Sequence, residues 1–132
     1  MPHVIVEYSA NLEEDVSPRD LIDRVHATIL ETGVYPIGGV RVRAERRDLY
    51  KVADGDPMNA FCAILIRMGR GRDEETRTRV SKAVLATLAD VTAGAFARRG
   101  LSLSVEIQEI DEAGATRKNN LHERLKGRAG AA

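Results

Sequence analysis

A proline follows the first methionine in Met1-Pro2-His3-Val4-Ile5-Val6-Glu7-Tyr8-Ser9, and two arginines stand behind glycine-containing turns, Arg41 after Gly38-Gly39-Val40 and Arg72 after Gly69-Arg70-Gly71. These residue types suit proton transfer beside an anion site. Removal of Met1 would leave the Pro2 nitrogen as a secondary amine. A primary α-amino group has a reference pKa of roughly 7.7 to 8.0, and apolar or cationic surroundings lower an amine further by disfavouring its charged form. Such a nitrogen is largely neutral near physiological pH and can act as a general base. Guanidinium groups bind carboxylates through paired, charge-assisted hydrogen bonds, so Arg41 and Arg72 are candidate substrate-binding residues for an acid with two or three carboxylates. Arg41 starts a second strand and Arg72 ends a first strand, and pseudo-symmetric halves and subunit contacts can bring such strand ends together. Each has a plain structural alternative. Pro2 can open a strand where its missing N–H costs nothing, and any one arginine can simply be solvated in a chain that is 30% charged.

Other constellations carry less chemistry. His3, His26 and His122 lack metal-ligand spacing, and neither a nucleophile elbow nor a phosphate-cradling glycine loop is present. No cofactor or metal is called for. Glu7 can order a proton network near the N-terminus or serve as a surface carboxylate. His26 reads as a boundary residue of a helix, and Cys62 as a small apolar core residue.

The elements that must position these groups alternate regularly. His3 to Ser9 has strand periodicity. Ser17-Pro18-Arg19-Asp20 reads as a helix start, with Ser17 as N-cap, Pro18 at the first helical position and Asp20 completing a capping-box-like pair. Leu21, Val25 and Ile29, flanked by Ile22 and Leu30, form its buried stripe, and Gly33 ends it. Val40 to Ala44 is a second strand, with Val40, Val42 and Ala44 on one face and Arg41 with Arg43 on the other. The order then recurs. Ala60 to Met68 is a strand, Asp73 caps a helix striped by Val80, Val84, Leu88, Val91 and Ala95, Gly100 stops that helix, and Leu101, Leu103, Val105 and Ile107 alternate in a fourth strand.

Two βαβ units in tandem predict a two-layer α/β (α+β) domain, a four-stranded sheet with two helices on one face. A single domain over 1–132 is expected, with halves at about 1–56 and 57–112 and a polar C-terminal segment 113–132 that holds a short helix at Leu121 to Leu125 and a mobile Gly/Ala-rich end. That segment could also reach across onto a neighbouring subunit. Ile5, Cys62, Ile64 and Ile66 are expected on the uncovered sheet face, where self-association would bury them. Lysine plus arginine equals aspartate plus glutamate at 20 each, which excludes a global positive field for nucleic acid or an anionic membrane. With one cysteine, no transmembrane-length apolar run and no secretory signal, the chain reads as soluble and cytoplasmic.

Taken together, Pro2 to Leu12, Thr32 to Arg41, Ala53-Asp54-Gly55, Gly69 to Arg72 and Lys118-Asn119-Asn120-Leu121-His122 resemble the 5-carboxymethyl-2-hydroxymuconate Δ-isomerase family of the tautomerase superfamily. The resemblance runs over nearly the whole chain. It implies a tautomerase-like fold, a homotrimer with sites near subunit interfaces, the mature N-terminal proline as proton carrier, and Arg41 and Arg72 as carboxylate-binding residues. It also implies cofactor-free isomerisation of a small carboxylated enol to its oxo form, in bacterial breakdown of homoprotocatechuate. Arg46-Arg47 and the Gly/Ala tail have no place in the pattern. A broad-specificity tautomerase, a decarboxylase-like enzyme on related acids and a non-catalytic trimeric binding protein are the alternatives.

Overall fold

The structure, a computed structural model, describes residues 2–131, with only the backbone for 129–131. Strands β1 (His3–Ser9), β2 (Arg41–Arg47), β3 (Ala60–Met68) and β4 (Leu101–Glu109) form one sheet in the order β2-β1-β3-β4. The pairs β1·β2 and β3·β4 are parallel, and the central pair β1·β3 is antiparallel. Each parallel pair is bridged by helix, as parallel neighbours require a crossover: α1 (Pro18–Glu31) in the first half, α2 (Glu74–Val91) and α3 (Ala93–Arg98) in the second. The layout matches the tandem βαβ expectation.

Local chemistry explains where the helices start. Ser17 accepts a hydrogen bond from the Asp20 N–H at 3.2 Å with Pro18 at the first helical position, and Asp73 accepts from the Thr76 N–H at 2.8 Å. These contacts satisfy amide groups that a helix start leaves unpaired. After α1 the backbone turns at Gly33, whose φ of +70° suits a residue without Cβ. The single second helix expected from the sequence is broken. Thr92 leaves helical geometry at φ −99° and ψ 10°, and its hydroxyl donates back to the Leu88 carbonyl at 2.8 Å.

Leu21, Val25 and Ile29 of α1 and Val80, Val84 and Leu88 of α2 pack over Val4, Val6 and Tyr8 of β1 and Ala60, Cys62, Ile64, Ile66 and Met68 of β3, all buried. This corrects one expectation. Cys62, Ile64 and Ile66 lie under the helices, in register with Leu103, Val105 and Ile107, and of the residues expected outside only Ile5 is on the open face. The apolar residues beside it there are Phe61, Ala63 and Leu65, all half-buried. Strand β3 is apolar on both faces, so alternation alone does not say which side looks inward. The open face also carries Glu7, Glu45, Ser104, Glu106 and Gln108, which with Ile5, Ala63 and Leu65 line a shallow groove of about 340 Å³.

The C-terminal segment ends in α4 (Leu121–Ala131), longer than the helix expected there, and it docks on the chain's own turn at Ile37–Gly39. The Asn119 amide donates to the Gly38 carbonyl at 3.0 Å, and a Cβ on Gly38 would lie 2.6 Å from His122 Nδ1. The mobility expected of the Gly/Ala-rich end concerns side chains beyond the described ones. No helix of the described residues is long and apolar enough to cross a membrane.

Candidate active site

Sheet topology gathers the candidate residues at one end. Because β3 runs against β1, His3 pairs with Arg67 of β3 on one side and with Arg41 of β2 on the other. The start of β1, the start of β2 and the end of β3 therefore meet. Pro2 is buried there, and its carbonyl accepts a hydrogen bond from the Arg41 N–H at 3.2 Å, which carries the β1·β2 ladder back to the second residue. The expected loss of Met1 concerns a residue outside the described ones.

Arg41 is half-buried and donates through Nη1 to the Gly39 carbonyl at 3.0 Å. It forms one wall of a groove of about 570 Å³, whose other walls are Lys118, Asn119, Asn120, Leu121 and Glu123. Residues Lys118 to Leu121 of the C-terminal motif thus line the same groove as Arg41. Arg72 follows the end of β3 through a turn in which Gly71 has a φ of +113°. Its guanidinium donates to the Gly69 carbonyl at 3.3 Å, and its Cζ lies 5.1 Å from the centre of the Tyr35 ring. Both arginines stand at the Pro2 end. Arg72 is not a wall of the Arg41 groove, so within one chain the two do not share a single cleft.

Three arginines act on His3 at this end. The pKa of His3 is held below its ordinary value by burial first and then by Arg41, Arg43 and Arg67. Arg43 Nη1 lies 3.3 Å from His3 Nδ1. A guanidinium only donates, so as a hydrogen bond this contact requires Nδ1 to accept, which is the tautomer with the proton on Nε2. The same cations would favour the neutral form of an amine beside His3.

Other sequence candidates are occupied elsewhere. Glu7 accepts from Arg47 Nε at 2.7 Å on the open face, five residues along β1 from Pro2, and takes no part in the Pro2 end. The Arg46-Arg47 pair, unplaced in the sequence pattern, is structural: Arg46 pairs with Glu13 and Asp48 and Arg47 with Glu7 and Glu45, at 2.7–3.1 Å. Cys62 is buried, and burial pushes its thiol up to about 12. His26 is half-buried on α1, as expected of a boundary residue, and His122 packs on Gly38. Tyr35 was not singled out by the sequence. It falls in a short irregular stretch between α1 and β2, where no periodicity shows that its ring turns inward.

A model of the 5-carboxymethyl-2-hydroxymuconate isomerase family matches residues 2–125. The chain belongs to that family. It is 32% identical over 126 residues to the 5-carboxymethyl-2-hydroxymuconate Delta-isomerase of Escherichia coli, with 96% of this chain and all of that protein covered. Among solved structures it resembles a 5-carboxymethyl-2-hydroxymuconate isomerase from Deinococcus radiodurans R1 at 40% identity and a TM-score of 0.88, covering 94% of this chain and 93% of that one. A second structure, a 5-carboxymethyl-2-hydroxymuconate delta-isomerase, matches at 27% identity and a TM-score of 0.86, covering 95% and 93%. Two fused 4-OT symmetric trimers, at 14% and 13% identity and a TM-score of 0.58, share the fold alone. By family the chain is an isomerase.

Proposed function

We propose that this chain converts 5-carboxymethyl-2-hydroxymuconate to its oxo isomer without a cofactor, with the Pro2 amine as general base once Met1 is removed. One observation carries the reading. Arg41 and Arg72 present guanidinium groups at the Pro2 end with only backbone carbonyls as hydrogen-bond partners, and no carboxylate of the described residues pairs with either. Cations left unpaired in this way are suited to the carboxylates of a substrate. In the proposed reaction the neutral amine takes the proton of the enol hydroxyl and returns one to a carbon of the conjugated chain, while a guanidinium offsets the dienolate charge that develops between the two transfers.

Three finer features accompany the proposal. The active unit is a homotrimer, supported by the apolar strip of Ile5, Phe61, Ala63 and Leu65 on the uncovered sheet face and by the trimeric assemblies of chains that share the fold. A site completed by a neighbouring subunit would also account for Arg72 not lining the Arg41 groove of its own chain. The place of action is the bacterial cytoplasm, in homoprotocatechuate breakdown.

The test is a side-by-side panel of kcat/KM values. Two arginine contacts imply two anionic groups, so the carboxymethyl-hydroxymuconate should be preferred over hydroxyphenylpyruvate, which has one carboxylate, by at least about tenfold, since one charge-assisted contact contributes roughly 1.5 to 3 kcal/mol. A monocarboxylate that is the better substrate would replace this reading with a broad-specificity tautomerase.

A further inference from the structure

We propose that Tyr35 is a positioning residue for Arg72, its ring forming the platform that holds the guanidinium at the Pro2 end of the sheet. This rests on the reading above, in which Arg72 binds a substrate carboxylate.

Tyr35 is only 5% exposed, although it lies in an irregular connection between α1 and β2. Its hydroxyl donates to Met68 Sδ at 2.7 Å, and a thioether is a weak acceptor, so that contact alone is a poor reason to bury a phenol. The face of the ring has a stronger partner. Arg72 Cζ stands 5.1 Å from the ring centre, within the range at which a cation is attracted to an aromatic face. The ring is itself fixed, because Met68 is the fully buried last residue of β3 and pairs in the sheet beside the start of β1. Thus a connection from the first half of the chain holds a side chain from the second half, next to the strand that carries Pro2.

The Arg72 backbone is tethered as well. Its carbonyl accepts from Arg77 Nη1 at 2.7 Å, and its own Nη1 bonds the Gly69 carbonyl at 3.3 Å. Nothing in these contacts uses up the guanidinium's remaining donors. A long arginine side chain loses rotational freedom on binding an anion, and a side chain already ordered on a ring loses less. Tyr35 therefore acts on substrate affinity through Arg72 rather than on proton transfer.

The experiment is a double-mutant cycle on the processed enzyme with a dicarboxylate enol substrate, combining Tyr35→Leu with Arg72→Ala and adding Tyr35→Phe. Tyr35→Leu should raise KM about three- to thirtyfold with kcat little changed, the signature of lost uniform binding. Tyr35→Phe keeps the ring and should recover most of that loss. In the Arg72→Ala background, Tyr35→Leu should add less than about twofold. A separate readout needs no turnover: the side-chain proton signals of Arg72 should show an upfield ring-current shift that Tyr35→Phe keeps and Tyr35→Leu abolishes. Additive losses in the cycle, or a Tyr35→Leu effect on kcat alone, would overturn the proposal. Full activity of Arg72→Ala would overturn the reading of Arg72 and this inference with it, whereas a normal Arg72 effect with an inert Tyr35→Leu would overturn the inference only. Should Tyr35→Leu not fold, the wild-type enzyme still decides, since absence of the upfield ring-current shift on the Arg72 side-chain protons would sink the idea.

Discussion

The two ends of the sheet treat most of their arginines in opposite ways, Arg117 with its Glu112 partner at the Pro2 end being the exception. At the end away from Pro2, Arg98 and Arg99 close on Glu14 and Asp15, with contacts of 2.6–3.0 Å, and the Arg99 side chain is fully buried. Arg46 is matched in the same region by Glu13 and Asp48. At the Pro2 end, Arg41, Arg43, Arg67 and Arg72 converge on the strand starts, and none of them pairs with a carboxylate of the described residues. Paired guanidiniums tie loops to helices. Of the unpaired ones, Arg41 and Arg72 are held to backbone carbonyls, Arg72 also to an aromatic ring, while burial first and then Arg41, Arg43 and Arg67 hold the His3 pKa down. The contrast arises in a chain whose net charge is zero, and it underlies the proposed assignment of the unpaired arginines to substrate.

The largest effect should come from blocking the amine. One additional residue ahead of Pro2 turns its nitrogen into an amide, and kcat/KM should fall about a hundredfold to ten-thousandfold, the typical contribution of general acid–base groups. Kinetics paired with intact-mass determination of the N-terminus will test this, and wild-type activity in the extended chain would falsify the proline-base mechanism.

Truncating a far-end arginine should alter stability instead. Arg99→Ala removes a buried guanidinium that contacts Glu14, Asp15 and the Met58 carbonyl, and should cost about 1.5 to 3 kcal/mol in urea unfolding while leaving the KM of the surviving folded enzyme near wild type. Gly38→Ala probes the Pro2 end from the C-terminal segment. Its new methyl would press on the His122 ring, so α4 should shift at a cost of about 1 kcal/mol, seen as faster amide exchange in the 119–125 stretch.

The smallest effect concerns pH. Because the folded-state pKa of His3 lies below its ordinary value of 6.5, the unfolded chain binds more protons between the two values. Stability should therefore decline as pH drops below about 6.5 and level off beneath the folded pKa. His3→Gln should flatten that slope in unfolding curves measured across this range. An unchanged slope would assign it to another group.

Much of this division is legible in the sequence, for identifiable reasons. Ser17 and Asp73 announce the helix starts because capping is a local contact, and the stripes of α1 and α2 can be read because a helix buries one face only. Pro2, Arg41 and Arg72 can be placed at one sheet end once the strand pairing is known. What the sequence hides is non-local. Strand β3 is apolar on both faces, so the burial of Cys62, Ile64 and Ile66 depends on which side the helices cover. The partners of Arg46 and Arg47 include Glu13 and Glu7, more than thirty residues away. The break at Thr92 is a single hydroxyl turning back on Leu88, and the inward turn of Tyr35 depends on Met68 from the other half.

The most direct measurement is kcat/KM for 5-carboxymethyl-2-hydroxymuconate in four variants studied together, Arg41→Ala and Arg72→Ala from the Pro2 end and Arg46→Ala and Arg98→Ala from the far end. Losing one charge-assisted contact should lower the value about ten- to a hundredfold for each of the first two, with unfolding midpoints close to wild type. The far-end pair should stay within about twofold, since both side chains are half exposed and their ion pairs contribute little even to stability. Equal losses at both ends, or wild-type kinetics in Arg41→Ala and Arg72→Ala, would contradict the assignment of the unpaired arginines to substrate.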